Sequence, residues 1–138
     1  MAKAIGPELR KFFSEKLPAI ITTINESGQP EMTPIWYEFA DDKIRFNGTA
    51  TRKWLKRMEQ SGRATFMVID PNNMWRWAQV YGNVVNAQDD QGGDHINSLS
   101  HRYLDRDYSN DRNGRRILDV EITSVKGSNT RGVKWDLS

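Results

Sequence analysis

Six short segments constrain this chain more than any other feature. They are Ala19 to Ile24, Glu31 to Phe39, Lys43 to Asn47, Arg63 to Asp70, Trp75 to Ala87 and Arg116 to Val125. Each is rich in β-branched or aromatic residues, and most alternate apolar with polar positions. A period of two belongs to strands, not helices. Turn formers separate the segments: Glu26-Ser27-Gly28-Gln29-Pro30 is a hairpin turn, Asp41-Asp42 a tight one, Pro71-Asn72-Asn73 another. Gly48 is expected to end the third strand, and Asp89 to Gly93 and Asn110 to Gly114 read as loops. Pro34 lacks a ladder donor, so its strand lies at an edge or breaks there. Gly82 marks a bulge or a close backbone approach.

Helical spacing occurs three times. Leu9, Phe12 and Phe13 follow Pro7, predicting a helix to about Lys16. Trp54, Leu55 and Met58 share a face of a helix from Thr51 to Gln60, which Gly62 stops. Ile96, Leu99, Tyr103 and Leu104 mark a third, Asp94 to Leu104. Strands with a few helical additions predict a mainly β, α+β barrel. No repeat or linker divides residues 1–138, so one domain is expected. The segment 126–138 is ambiguous, with Val133 and Trp135 suiting a further edge strand.

Composition narrows the function. Apolar residues make up 37% and mean hydropathy is −0.74, a lean core that five Trp, five Phe and four Tyr partly offset. Cysteine is absent, which excludes disulfides, thiolate metal sites and a cysteine nucleophile. The net charge of +2 argues against nucleic-acid binding. No apolar run approaches the ~20 residues of a membrane span, and Met1 to Arg10 has no apolar h-region. The expectation is a cytoplasmic protein with no membrane or nucleic-acid partner.

The segment Asn47-Gly48-Thr49-Ala50-Thr51-Arg52-Lys53 carries the most chemistry. It joins a strand to a helix, and Thr51 suits the N-cap. Cations in a first helical turn oppose the helix dipole by roughly 0.3–1 kcal/mol each. Gly, two hydroxyls, free backbone N–H groups and two cations at one helix start describe an anion site. A solvated basic face is the alternative, since Lys56, Arg57 and Arg63 follow, giving a local +4 from Arg52 to Arg63. The stretch Asp89 to Asp111 is correspondingly −4. These are either two solvated faces or the halves of an intermolecular contact. Trp36, Trp75, Trp77 and Tyr81 form core, a subunit contact or a wall beside a planar ligand. Trp75 and Trp77 are expected on one strand face, with Arg76 on the other. His95 and His101 lack metal-ligand spacing, and no metal site is expected. No residue pattern identifies a catalytic group, so a cofactor is expected to carry any redox chemistry.

Ile21-Thr22-Thr23-Ile24-Asn25-Glu26-Ser27-Gly28-Gln29-Pro30 resembles the first hairpin of one superfamily. Met32-Thr33-Pro34-Ile35-Trp36-Tyr37 is similar to its "VTPVWF" strand, and Thr51-Arg52-Lys53 to its "(S/T)RK" segment. Val68-Ile69-Asp70-Pro71, Val80-Tyr81-Gly82, Arg102-Tyr103-Leu104 and Arg115-Arg116-Ile117 follow in order. The superfamily is the flavin- and deazaflavin-dependent split β-barrels related to pyridoxamine 5′-phosphate oxidase. The likeness is greatest to the branch using coenzyme F-420.

The resemblance implies a six-stranded split barrel with flanking helices, forming a homodimer with cofactor at the interface. It implies an oxidoreductase that passes hydride from reduced F-420 or FMN to a small conjugated or heteroaromatic substrate. A non-catalytic flavin-, deazaflavin- or haem-binding protein is the alternative. Thr33, Pro34, Ile35, Trp36, Asn47, Thr49, Thr51, Arg52 and Lys53 would contact cofactor. Lys56, Arg57, Arg76 and Trp77 would meet the substrate or the acidic tail of F-420. Trp54-Leu55-Lys56-Arg57 and Trp75-Arg76-Trp77 depart from the family's Asn-Leu-Arg and Tyr-Arg-Tyr segments.

Overall fold

The computed structural model describes residues 5–130 and 133–135. Helix α1 spans Pro7–Ser14, then strands β1 Ala19–Ile24, β2 Pro30–Ile35, β3 Tyr37–Ala40 and β4 Lys43–Thr49. Helix α2 is Lys53–Ser61, followed by β5 Arg63–Ile69 and β6 Trp77–Asp89. A 3-10 turn at Gln91–Gly93 leads to α3 Asp94–Leu104, then β7 Arg115–Thr130 and β8 Val133–Lys134.

All strand pairs are antiparallel, in the order β2-β1-β5-β6-β7-β4-β3, with β8 on β7. The two ends of that order, β2 and β3, are separated in sequence by Trp36 alone. The chain therefore steps from one sheet edge to the other in one residue, and the sheet must curl into a barrel. Counting β2 and β3 as one broken strand, and setting β8 aside, leaves the six strands expected. Pro34 sits on the edge strand β2, where its missing donor costs no ladder bond.

The core fills the barrel and both its covers. Phe46 and Phe66 meet edge to face at 5.0 Å. Leu9, Phe12 and Phe13 of α1 and Trp54, Leu55 and Met58 of α2 are buried. Gly82 serves both purposes foreseen for it. A register shift lies between Tyr81 and Gly82, and a Cβ there would stand 2.5 Å from the Glu121 carbonyl.

Two adjacent rows on the outward face of four strands carry no charge, with Arg63 at the end of β5 beyond them. Pro34, Ile20, Met67 and Gln79 pair across that face in one row, and Met32, Thr22, Thr65 and Tyr81 in the next. Met32 is 70% exposed and Tyr81 46%.

Several boundaries differ from the sequence reading. Trp75 lies in a turn and not on β6, so Trp75 and Trp77 do not share a strand face. The turn from Asp70 is closed by Arg76 N–H to Asn73 and by Asp70 N–H to Arg76. Gly48 does not end β4, which pairs with β7 through Thr49. Helix α1 stops at Ser14, because Arg102 reaches over to take the carbonyls of Ser14 and Glu15. Residues Lys126 to Thr130 prolong β7, and Val133 forms β8. Trp135 instead packs on Phe12 at 4.7 Å and donates to the Trp77 carbonyl. The remainder of that segment lies outside the described residues.

Candidate cofactor cleft

The inner face of β2, the end of β4 and the start of α2 enclose a cleft of about 770 Å³. Ile96 and Leu99 of α3, with Tyr108, Asn110 and Arg115, complete its wall. Small-molecule sites run to about 300–1,000 Å³, so this space suits a cofactor.

The start of α2 supplies the positive pole. Arg52, not Thr51, is the N-cap, in extended geometry and without a side-chain cap bond. No acid occupies the first turn. Arg52 and Lys53 are exposed, and no ion pair engages either among the described residues. Uncapped N–H groups beside two cations favour an anion. Gly48 brings this helix close: a Cβ there would lie 2.4 Å from the Trp54 ring. Arg57 also lines the cleft, but its charge is taken by Glu31 at 2.6 Å and Glu26 at 3.5 Å. Hydrogen bonding from Arg57 holds the Glu31 carboxyl below its ordinary value.

One wall is aromatic. Trp36 lines the cleft and stacks on Tyr103, with ring centroids 5.3 Å apart and planes within 8°. Tyr103 is anchored in turn: its hydroxyl donates to the Leu17 carbonyl at 2.6 Å and accepts from the Tyr37 N–H at 3.2 Å. Burial pushes the Tyr37 and Tyr103 hydroxyls up from their ordinary values, so both stay protonated.

Asn47 organises the base. Its amide donates to Asp90 and to His95 Nδ1, each at 2.9 Å, and its carbonyl accepts from Arg115 at 2.9 Å. His95 Nδ1 is therefore an acceptor, and Nε2 donates to Glu38 at 3.1 Å. Glu38 and Asp119 both hold Arg45. The His95 hydrogen bond keeps Glu38 below its ordinary value. Burial would raise Asp90, but N–H bonds from His95 and Ile96 and the Asn47 amide outweigh it and leave it lowered. Asn47 thus positions Arg115 rather than offering polar atoms of its own.

The cleft brings together Thr33, Pro34, Ile35, Trp36, Asn47, Thr49, Arg52, Lys53 and Arg57. Thr51 and Lys56 are exposed outside it. Arg76 is also elsewhere, held by Glu15 and Asp70 at 2.6 Å each. Trp77 lines a different cavity with Trp135 and Lys134. Arg116 pairs with Glu59 of the basic stretch and with Asp89 of the acidic one. Sequence reasoning missed Tyr108, Asn110 and Arg115 as cleft residues. Arg115 was legible only as part of a family segment, because its place depends on β7 pairing with β4 at Thr49.

The pyridoxamine 5′-phosphate oxidase family model matches residues 5–129. The chain belongs to this family. Solved structures sharing the family's fold include a protein described as an F-420 reductase, at 24% identity and TM-score 0.76, covering 84% of this chain and 94% of its own. A FAD-binding protein from Mesorhizobium loti is 15% identical with TM-score 0.58, covering 83% and 86%. A haem-binding protein from Mycobacterium smegmatis is 15% identical with TM-score 0.62, covering 96% of this chain and 57% of its own. Likeness at such identity establishes the split-barrel fold. No curated protein matches the sequence. Among the described residues no helix is long and apolar enough to cross a membrane, and no cluster could hold a metal ion.

Proposed function

We propose that this chain is an oxidoreductase that holds reduced F-420 in the cleft and reduces a small conjugated or heteroaromatic substrate there. The observation that carries this reading is the pair of exposed cations, Arg52 and Lys53, at an uncapped helix start beside a fixed aromatic wall, neither held in an ion pair among the described residues. Arg52, Lys53 and the α2 N–H groups would hold the cofactor's phosphate, with Thr49 beside them. Thr33, Pro34, Ile35 and Trp36 would line its ring. When bound, the deazaflavin supplies hydride chemistry that no side chain provides. The protein's own work is to orient the pair and keep water out.

The similarity to an F-420 reductase supports the choice of deazaflavin. FMN is the second reading, favoured because Arg57 and Arg76 spend their charge on internal carboxylates and leave little for an acidic tail. A haem-binding role fits less well, since both ring nitrogens of His95 are engaged. The two uncharged rows on the outer face of β2, β1, β5 and β6 would seat a second copy, and Pro34 lies both in those rows and in the cleft.

Fluorescence titration with F-420 and with FMN tests the site. Lys53→Ala is expected to weaken binding about tenfold or more, by loss of one charge-assisted contact. Unchanged binding would move the cofactor away from α2.

A further inference from the structure

We infer that Arg115, with Tyr108 and Asn110, forms a subsite that selects substrates bearing a carboxylate. This rests on the cofactor reading above, which leaves Arg52 and Lys53 to the phosphate.

Arg115 lines the cleft and is half-buried. Among the described residues no carboxylate pairs with it. Its two hydrogen bonds go to neutral oxygens, Asn47 Oδ1 at 2.9 Å and the Tyr108 hydroxyl at 2.7 Å. A guanidinium has five N–H donors, so three remain. One of them, Nε–H, is buried without an acceptor. A cation taken from water without a counter-charge is costly, and such a group in a native fold asks for an explanation. Arg45 and Arg57 nearby each hold two acids, and Arg102, whose Nε–H is likewise buried without an acceptor, lies outside the cleft lining.

The geometry around Arg115 is built. Asn47 is fixed by Asp90 and His95, and so cannot turn away. The Tyr108 N–H is tied to Asn97 of α3 at 2.8 Å, and its ring lies 4.9 Å from the guanidinium carbon. Because Tyr108 accepts from Arg115, its own O–H is free to donate. Ile96 and Leu99 supply an apolar wall nearby. The chemistry is that of a planar acid: an apolar body against α3, and two oxygens on a guanidinium fork and a phenol.

Benzoate and its neutral isostere benzamide are the probes, their binding to the full chain read by titration calorimetry, which serves the wild type and its variants alike. Benzoate is expected to bind about tenfold more tightly than benzamide, and Arg115→Gln to erase that difference. Arg115→Lys, which keeps the charge, should retain part of it if Arg115→Gln proves unstable. Equal binding of the two probes overturns the subsite. So does a preference that survives Arg115→Gln or disappears in Arg52→Ala. F-420 and FMN titrations separate the source of the carboxylate. If Arg115→Gln weakens F-420 but not FMN, the cofactor tail occupies the site and the assignment to substrate fails. Neither cofactor binding to the wild type would refute the cofactor reading alone, because the benzoate preference is read without it.

Discussion

Asn47 shows how one residue can fix the geometry of the cleft that it lines. Three neighbours saturate its amide, and through it Asp90, His95 and Glu38 bear on Arg115. The depressed carboxyls of Glu38 and Asp90 tie this network to pH. Unfolded Glu and Asp titrate near about 4.3 and 3.9. A lowered folded value gives stability that is complete above those and is lost as pH falls through the folded value. Urea midpoints of the wild type should therefore drop below about pH 4, with Glu38→Gln falling less over the same window. Parallel curves would show that Glu38 gains nothing from His95. Gly48 matters for a different reason. Its missing Cβ is filled by the Trp54 ring, so Gly48→Ala should cost about 1–3 kcal/mol in chemical denaturation and shift tryptophan emission. A variant of wild-type stability would mean that α2 moves freely over β4.

At the level of elements, the helices are held by side chains distant in sequence. Asp90 accepts the N–H groups of His95 and Ile96, so it caps the first turn of α3 from four residues ahead of the helix. Asp90→Ala removes both acceptors and the Asn47 partner. The expected loss is about 1–3 kcal/mol, measured by urea unfolding, with faster hydrogen exchange confined first to α3. Uniform exchange across the barrel would refute a local role. The strand that breaks at Trp36 is equally consequential. Pro34 hinted at it, but the sequence shows one alternating run from Glu31 to Phe39. The break arises because the chain must leave one sheet edge and join the other, which no local pattern encodes.

For the whole molecule, the two uncharged rows of the outer face are the testable surface. Met67 lies in one of these rows, between Ile20 and Gln79. Met67→Glu should leave a folded chain that sediments as a monomer while the wild type sediments as a dimer. If the wild type is monomeric, the proposed seat for a second copy is wrong.

The sequence by itself determined the barrel, the helical covers and the basic helix start. Alternation, turn residues and helical spacing act over a few residues, and the ordered family segments span most of the chain. Tertiary structure alone decided which cations are available. Arg57, Arg76 and Arg116 look as free in the sequence as Arg52, yet their acids lie up to 61 positions away. Arg115 is legible only as part of a family segment and becomes a cation of the cleft with no carboxylate partner among the described residues. Counter-charge is a property of proximity, and proximity across a barrel is set by strand register rather than by spacing along the chain.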